Sequence, residues 1–403
     1  MEMLKSPALT LEEGAAHLTR LLQEQVALAN LPPNLRVQWD KWVQEANLQT
    51  LFWEQRHKED WKYTPMDFLR FPWDVGLARR VSPPFSIPSV LPYAEEVDGV
   101  EKDLPALRSL PVPSSPWEAL LGGTSSAHHY YIRKEGSLIF SVRGEGGVVP
   151  YLLTLSLAPH SVGEVWLFPS TEALMLLRFH LHVGQGACLK LFFPSYANEA
   201  QGYLYTILSA HLEREASLET YDLSTSREWR RTEVKVYLKE AGAKVYLHGA
   251  AYVDSKTTWD QAIRVEHGAP HTESNQLFKS LVRAGGRSIF QGRIYVHRDA
   301  QKTNAYQSHK ALLWEKNATA YSRPQLEIFA DDVRCTHGVT TGFLQGEMLT
   351  YLRTRGIPLE DARKILASAF LAEVIEKVPY EILHTEMYKV ISSCLSSPAE
   401  LSR

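Results

Sequence analysis

The sequence predicts a mainly β protein with flanking helices: a right-handed parallel β-helix core, an N-terminal helical region and a C-terminal helical subdomain. Short runs rich in β-branched and aromatic residues follow one another from about residue 128. The starts of these runs recur at intervals of roughly 30 residues, as in stacked repeats. Helical periodicity is confined to the two ends of the chain. We therefore expect an N-terminal helical region (1–80), a proline-rich connector (81–127), the β-helix core (128–340) and a C-terminal helical subdomain (341–403).

Composition and charge indicate an ordinary folded protein. Hydrophobic residues make up 44% and charged residues 22% of the 403 residues. The 43 Lys and Arg nearly balance the 46 Asp and Glu, which disfavours nucleic acid and anionic membrane as partners. The N-terminus lacks the basic segment and apolar block of a secretory signal, and no run approaches the roughly 20 apolar residues of a membrane span. We expect a cytoplasmic protein that binds neither nucleic acid nor membrane.

The three cysteines argue against a site that this chain completes alone. Cys188, Cys335 and Cys394 are far apart and none belongs to a CxxC motif. A disulfide framework and a self-contained zinc or cluster site are both disfavoured by this spacing.

The N-terminal region and the connector differ sharply in pattern. Apolar residues recur at helical spacing over 10–29, where Thr10 and Glu13 form a capping box, and again over 37–56. Between 81 and 117 prolines are dense enough to suppress helices and interior strands. We expect two helices followed by an extended connector.

The β-rich core contains a degenerate repeat. Several strand runs begin with a small or polar residue followed by Ala or Arg: Gly186-Ala187, Glu215-Ala216, Gly242-Ala243, Gly286-Arg287 and Asn317-Ala318. Repeats of this kind bury their apolar faces only by stacking on their neighbours, which favours a β-helix. An antiparallel sandwich or barrel with coincidental spacing is the alternative.

The C-terminal subdomain shows two helical patterns separated by Gly356, with Pro358 suited to a first helical turn. Apolar residues fall on single helical faces: Met348, Tyr351 and Leu352, then Ala362, Ile365, Leu366, Ala369, Phe370 and Val374. Such a face either packs in a core or docks a partner, and the sequence leaves both open.

The stretch from Arg323 to Gly338 carries the most chemistry. If it is extended, Asp331, Val333, Cys335 and His337 alternate onto one face. A thiolate and an imidazole are suitable iron ligands, but two or three ligands cannot complete a cluster site. On spacing alone, an isolated Cys-x-His is more often structural. We expect the remaining candidates His267, His271, His297 and His309 to be surface or loop residues.

This stretch and its flanks closely resemble the signature of the SufB/SufD family of iron-sulfur cluster assembly proteins. The family pattern runs approximately AQKTxAxQxxxxLLL, PxLEIxADDVxCxHGAT and then a helix ending in YLxxRGI. The matching residues are Ala300 to Thr303, Gln307, Leu312, Leu313, Pro324, Leu326 to Ile328, Ala330 to Val333, Cys335, His337, Gly338 and Tyr351 to Ile357. The early EDWKYTPM is similar to an N-terminal family element. Because Gly338 stands where SufB carries a Glu, the motif is most similar to the SufD branch.

The resemblance implies a non-catalytic scaffold subunit of a SufBCD-like complex. It implies pairing with a SufB-like subunit through the β-helix, and a nascent cluster at the interface for which His337 is a shared metal ligand and Cys335 a further candidate. It also implies that the C-terminal helices bind a SufC-like ABC ATPase. The candidate contacts are Met348, Tyr351, Leu352, Ile365, Leu366, Ala369 and Phe370.

The resemblance also carries expectations about cofactors, and two alternative functions stay open. The isolated chain is expected to hold no tightly bound cofactor, whereas the complex is expected to hold a transient iron-sulfur cluster. Whether the complex also binds a flavin, and whether the isolated chain forms a homodimer, stay open. One alternative is a β-helix carbohydrate-active enzyme, for which Asp331-Asp332 is the only tempting acid pair, although adjacent strand residues point to opposite faces. Another is an interaction module without metal involvement.

Overall fold

The computed structural model describes residues 127–171, 174–195, 202–225, 229–255, 257–344 and 346–396, with strands at 77–80 and 95–97 and single residues at 13, 16, 17, 20, 63 and 64. Residues 13, 16, 17 and 20 are helical. The rest of the two predicted N-terminal helices, and most of the predicted connector, lie outside the described residues.

Eighteen strands and three helices are described. The strands are β1 (Leu77–Arg80), β2 (Glu95–Val97), β3 (Ala127–Ile132), β4 (Glu135–Glu145), β5 (Val148–Leu157), β6 (Val162–Thr171), β7 (Leu174–Val183), β8 (Cys188–Ser195), β9 (Tyr203–Leu212), β10 (Ser217–Ser224), β11 (Trp229–Leu238), β12 (Lys244–Val253), β13 (Thr258–His267), β14 (Glu273–Val282), β15 (Arg287–Val296), β16 (Asn304–Leu313), β17 (Thr319–Ile328) and β18 (Arg334–Phe343). The helices are α1 (Gly346–Thr354), α2 (Leu359–Ile375) and α3 (Glu381–Ser396).

From β3 onward, consecutive strands alternate between two nine-stranded sheets. Sheet A runs in the order β2-β3-β5 through to β17, and sheet B runs β1-β4-β6 through to β18. From β3 onward the neighbours in each sheet are parallel and in continuous register, so the chain winds as a parallel β-solenoid of about seven turns. The predicted parallel stack is confirmed and the antiparallel alternative is wrong. The right-handed winding stays a prediction.

A ladder of left-handed turn residues explains part of the sequence repeat. At one corner of successive turns the residue before the strand has a positive φ, and its N–H donates to a carbonyl of the next turn. The set is His160, Gly186, Glu215, Gly242, His271 and Lys302. The alanine that follows in three of them, Ala187, Ala216 and Ala243, is fully buried. This corner accounts for three of the five pairs in the sequence; the other two, Gly286-Arg287 and Asn317-Ala318, precede strands of sheet A at a different corner.

Towards the N-terminal end of the solenoid, one apolar core fills the space between the two sheets. Residues that share a register position form columns along the solenoid, and one such column contains the buried Leu138, Val165, Leu191 and Leu247. The N-terminal end of each sheet is closed by a short antiparallel strand, β1 on β4 and β2 on β3.

The helical subdomain packs on the outer face of sheet B. Leu371, Val374 and Met387 join an apolar cluster with Trp166 and Phe192 of the strands. The fixed position of α2 follows from this packing and from the polar contacts next to it.

Two polar side chains hold the helices in place on sheet B. The buried Lys279 ammonium donates to the Phe370 carbonyl at 2.7 Å, lies over the Phe370 ring and pairs with Glu373. The Tyr380 hydroxyl donates to the Glu164 carboxylate at 2.6 Å. Among the described helices, none is both long enough and apolar enough to cross a bilayer.

A buried ion pair ties the N-terminal segment to the outer face of sheet A. Arg231 and Asp260 are fully buried and 2.7 Å apart, and Arg231 also pairs with Glu233 at 2.8 Å. The Thr64 hydroxyl donates to Asp260 and accepts from Arg231 at 2.9 Å. Tyr63 stacks on Tyr321 with ring centroids 4.5 Å apart. The EDWKYTPM element thus contacts strands far away in the sequence.

We predict that Asp260→Ala lowers the free energy of unfolding by about 3 kcal/mol, because it leaves part of the Arg231 charge buried without its partner. Asp332→Ala is the control, since Asp332 pairs with Lys302 on the exposed surface and its loss should cost less than about 1 kcal/mol. Urea unfolding of both variants at one pH measures the difference. Equal losses would contradict the importance assigned to the buried pair.

Candidate functional site

The C-terminal end of the solenoid is open. Within the described ranges, β17 pairs only with β15 and β18 only with β16, so one edge of each strand has unpaired backbone N–H and C=O groups. The two strands are also far less buried than those of the preceding turn. Such edges are templates for pairing with another chain unless something covers them.

Large apolar side chains are exposed at this end. Ile328 is 39%, Phe329 55%, Val339 40% and Phe343 54% exposed. They belong to the last turn, where interior residues have no further turn to cover them. An apolar group of this kind beside unpaired strand edges is typical of a protein interface.

His337 lies at the mouth of the interior. On β18, His337 is in register with Gln307 of β16. Gln307 is in register with Gln276 of β14, and Gln276 with Leu247 of the buried column. The His337 side chain therefore continues an inward-facing column, but it is exposed because the solenoid ends there. No described side chain hydrogen-bonds to its ring. The imidazole is free to bind something that approaches the open end.

Cys335 shares the inward side with His337, as the predicted alternation requires. It is half-buried against a small apolar cluster that includes Ile294, Val296 and Ala305. Burial raises the pKa of the Cys335 thiol, which a hydrogen bond with Ala305 only partly offsets. Because the thiolate is the form that binds metal or attacks sulfur, Cys335 is less ready for either role than His337.

The acidic residues of the motif do not join this pair. β18 begins only at Arg334, and Asp331 and Asp332 lie in the bend before it, so the predicted alignment of Asp331 with Cys335 and His337 is wrong. Asp332 pairs with Lys302, and its carbonyl accepts the Lys302 N–H at 2.7 Å. Asp332 therefore closes the last corner of the solenoid.

The described part of the chain contains no group of three or more His, Cys, Asp or Glu side chains that could hold a metal ion. Cys188 begins β8, several turns from the open end. A metal bound at His337 would need ligands that these residues do not supply.

Polar residues inside the last turns were missed by sequence reasoning. His267 and His309 are fully buried, so the expectation of surface or loop positions is wrong for them; His271 and His297 do lie in loops. His309 stacks on Phe290 and hydrogen-bonds to Ser322 at 2.6 Å. Burial lowers the pKa of both buried imidazoles to about 3. The sequence could have indicated this, because both histidines stand at strand positions whose alternation predicts an inward-pointing side chain.

The predicted stripe on the C-terminal helices divides between two faces. Ala362 and Val374 are buried against the β body. Most of the partner candidates face outward: Met348 is 52%, Tyr351 55% and Ile365 47% exposed, and Ala369 is exposed as well. The other three are half-buried: Leu352, Leu366 and Phe370, the last of which lies under Lys279. Helix α1 has no buried residue. Its apolar face is therefore available to a partner.

We predict that iodoacetamide alkylates Cys188 several-fold faster than Cys335 at neutral pH in a Cys394→Ser background. Cys188 is exposed, whereas Cys335 is half-buried and its raised pKa leaves less thiolate. Mass spectrometry over a time course measures both rates in one sample. A Cys335 rate equal to that of Cys188 would contradict the environment described for the thiol.

Comparison with known proteins identifies the family. The family model described as the SUF system FeS cluster assembly SufBD core domain matches residues 164–370, just over half of the chain. The iron-sulfur cluster assembly protein SufD of Escherichia coli is 39% identical over 135 residues, which are 34% of this chain and 32% of that protein. Protein ABCI7, chloroplastic, of Arabidopsis thaliana is 35% identical over 182 residues, 43% of this chain and 38% of that protein.

A third relative, an iron-sulfur cluster assembly SufBD family protein of Synechocystis, is 30% identical over 188 residues, 47% of this chain and 39% of that protein. The chain thus spans about a third to two fifths of the length of these relatives. The matched segment contains most of the solenoid, the open end, helix α1 and the larger part of α2. This chain belongs to the SufB/SufD family of iron-sulfur cluster assembly proteins and is close to its SufD members.

Proposed function

We propose that this chain is a SufD-like scaffold subunit of an iron-sulfur cluster assembly complex, in which it pairs with a SufB-like subunit and supplies His337 to the nascent cluster. One observation carries the proposal: His337 ends an inward-facing column at the open end of the solenoid and is exposed there, in a chain of this family. The cluster is cargo that the complex builds and passes on.

The open end supports the choice of pairing surface. Strands β17 and β18 each have an edge that a second subunit can complete with main-chain hydrogen bonds. Val339 and Phe343 would be covered at the same time, and the burial of their apolar area favours association. A subunit of the same family ends in a similar turn, so it fits both the hydrogen-bonding and the apolar surface.

The chemistry of His337 supports a shared site. An iron-sulfur cluster takes about four protein ligands, mostly thiolates. His337 offers one imidazole, and the Cys335 thiol beside it is mostly protonated because its pKa is raised. In this proposal the remaining ligands come from the partner. A site divided between two subunits also opens when they separate, which suits a cluster that has to be released.

The helical subdomain is the proposed docking site for a SufC-like ABC ATPase. Met348, Tyr351 and Ile365 present apolar surface, and the packing of α2 on sheet B connects that surface rigidly to the β body. The sequence has no GxxxxGK[ST] loop for a nucleotide of its own. Movement of the bound ATPase would therefore be transmitted to the solenoid.

Other parts of the proposal complete this picture. The chain is non-catalytic, acts in the cytoplasm and binds neither nucleic acid nor membrane. A flavin at the level of the complex and a homodimer in the absence of SufB remain further hypotheses. The Arabidopsis relative carries the word chloroplastic in its name, so a plastid location is a second hypothesis for homologous chains.

We predict that His337→Ala lowers cluster formation at least tenfold in the complex with the SufB-like and SufC-like subunits, without preventing assembly, because one ligand is lost. Cluster formation is followed by visible absorbance after anaerobic addition of iron and sulfide. Thr336→Ala, on the adjacent outward-facing position, is the control and should behave like the wild type. Unchanged cluster formation in His337→Ala would favour the alternative of an interaction module without metal. Hydrolysis or cleavage of a polysaccharide by the purified chain would favour the carbohydrate-active enzyme.

We predict that the double variant Met348→Ser/Tyr351→Ser weakens ATPase binding about thirtyfold, since the loss of an exposed aromatic anchor at an interface costs about 2 kcal/mol. Tyr306→Ser is the control because Tyr306 is an exposed aromatic residue on sheet B, outside the helices. Calorimetric titration with the purified ATPase measures both affinities. An unchanged affinity of the double variant would exclude α1 as the docking site.

A further inference from the structure

Two buried glutamines lie directly beneath His337. Gln276 is 0% and Gln307 is 1% exposed, and both are in the same register column as His337. Neither the Nε2 nor the Oε1 atom of either side chain has a hydrogen-bond partner among the described residues. A buried amide without a partner costs about 1–3 kcal/mol, so its presence calls for a physical reason.

The column changes character towards the open end. It is largely apolar from Leu138 to Leu247 and then carries Gln276, Gln307 and finally His337. Neighbouring strands are about 4.8 Å apart, so the Gln307 amide lies within reach of the His337 ring. The deeper Gln276 is one strand further away and cannot reach it.

The opposite sheet holds the Gln307 side chain in place. A Cβ atom added to Gly292 of β15 would fall 1.4 Å from the Gln307 Nε2 atom. The absence of a side chain at Gly292 therefore leaves the space that the Gln307 amide occupies. The Nε2 end of the amide thus lies against Gly292, while the Oε1 atom is left without a hydrogen-bond partner among the described residues.

We propose that the exposed His337 ring turns so that its Nδ1–H donates to the Gln307 Oε1 atom, a bond that the present side-chain conformations do not contain, and that this bond fixes the tautomer whose Nε2 lone pair faces out of the solenoid. This inference rests on the proposed function, in which His337 is a ligand. Nδ1 is the ring nitrogen closer to the strand and to the neighbouring column, whereas Nε2 is at the tip of the ring. Histidines that bind metal almost always donate their other N–H to such an acceptor. Gln307 is therefore a positioning residue that acts through His337.

The tautomer of His337 is measurable in the isolated chain. With ¹⁵N-labelled histidine, the His337 signals are assigned by their loss in His337→Ala, and the spectrum is recorded at alkaline pH to favour neutral imidazole side chains. We expect protonated Nδ1 and unprotonated Nε2 in the wild type. Gln307→Met, of similar volume but without the acceptor, should shift the population towards the Nε2–H form that a free imidazole side chain prefers.

Gln276→Met is the matched control, because it makes the same substitution in an equally buried amide one strand deeper. It should leave the His337 tautomer unchanged. An equal shift in Gln276→Met would overturn the proposal, since the effect would then come from altered packing. A wild-type ring in the Nε2–H form, or an unchanged tautomer in Gln307→Met, would overturn it as well. If Gln307→Met does not fold, the wild-type spectrum alone decides.

Cluster formation in the complex separates this inference from the proposed function. Gln307→Met should lower it about tenfold, as the loss of such a partner commonly does, while Gln276→Met stays near the wild type. If His337→Ala lowers cluster formation but the tautomer is not the expected one, only the positioning role is lost. If His337→Ala leaves cluster formation intact, the proposed function fails and the positioning role fails with it.

Discussion

The hydrogen bonds between turns are the constraint on which the rest of this structure depends. In a parallel solenoid each strand has its N–H and C=O groups satisfied by strands of the turns before and after it. The corner residues with positive φ extend this rule to the turns, since each donates its N–H to the next corner. At β17 and β18 the series stops with one edge unpaired in the described chain. The end that lacks a neighbour is also the end that carries His337 and the exposed apolar side chains.

The sequence predicted the parts of the fold that depend on local pattern. Strand runs, the repeating corners and the C-terminal helices all leave a periodic signal, and the Cys335 and His337 alternation follows from strand geometry alone. Asp331 was misplaced because a bend, and not periodicity, decides where β18 begins. The contacts of Thr64 with Asp260 join residues 196 positions apart, and no local pattern records such a distance.

The burial of polar residues is the second feature that the sequence did not predict. His267 and His309 look like surface residues by composition, but both lie inside, where hydroxyl groups meet their ring nitrogens: Thr272 and Ser274 for His267, and Ser322 for His309. These hydroxyl partners lie in other strands or turns, so a buried histidine cannot be told from an exposed one without the register. The same holds for Gln307, whose importance depends on its alignment with His337 and on the space that Gly292 leaves.

The uncovered last turn has a consequence for the behaviour of the chain outside its complex. Unpaired strand edges beside Phe329 and Phe343 can pair with a compatible strand, including the same edges of a second copy, which leaves the chain prone to association through this end. The partner proposed for this end would therefore also keep the chain from associating with itself.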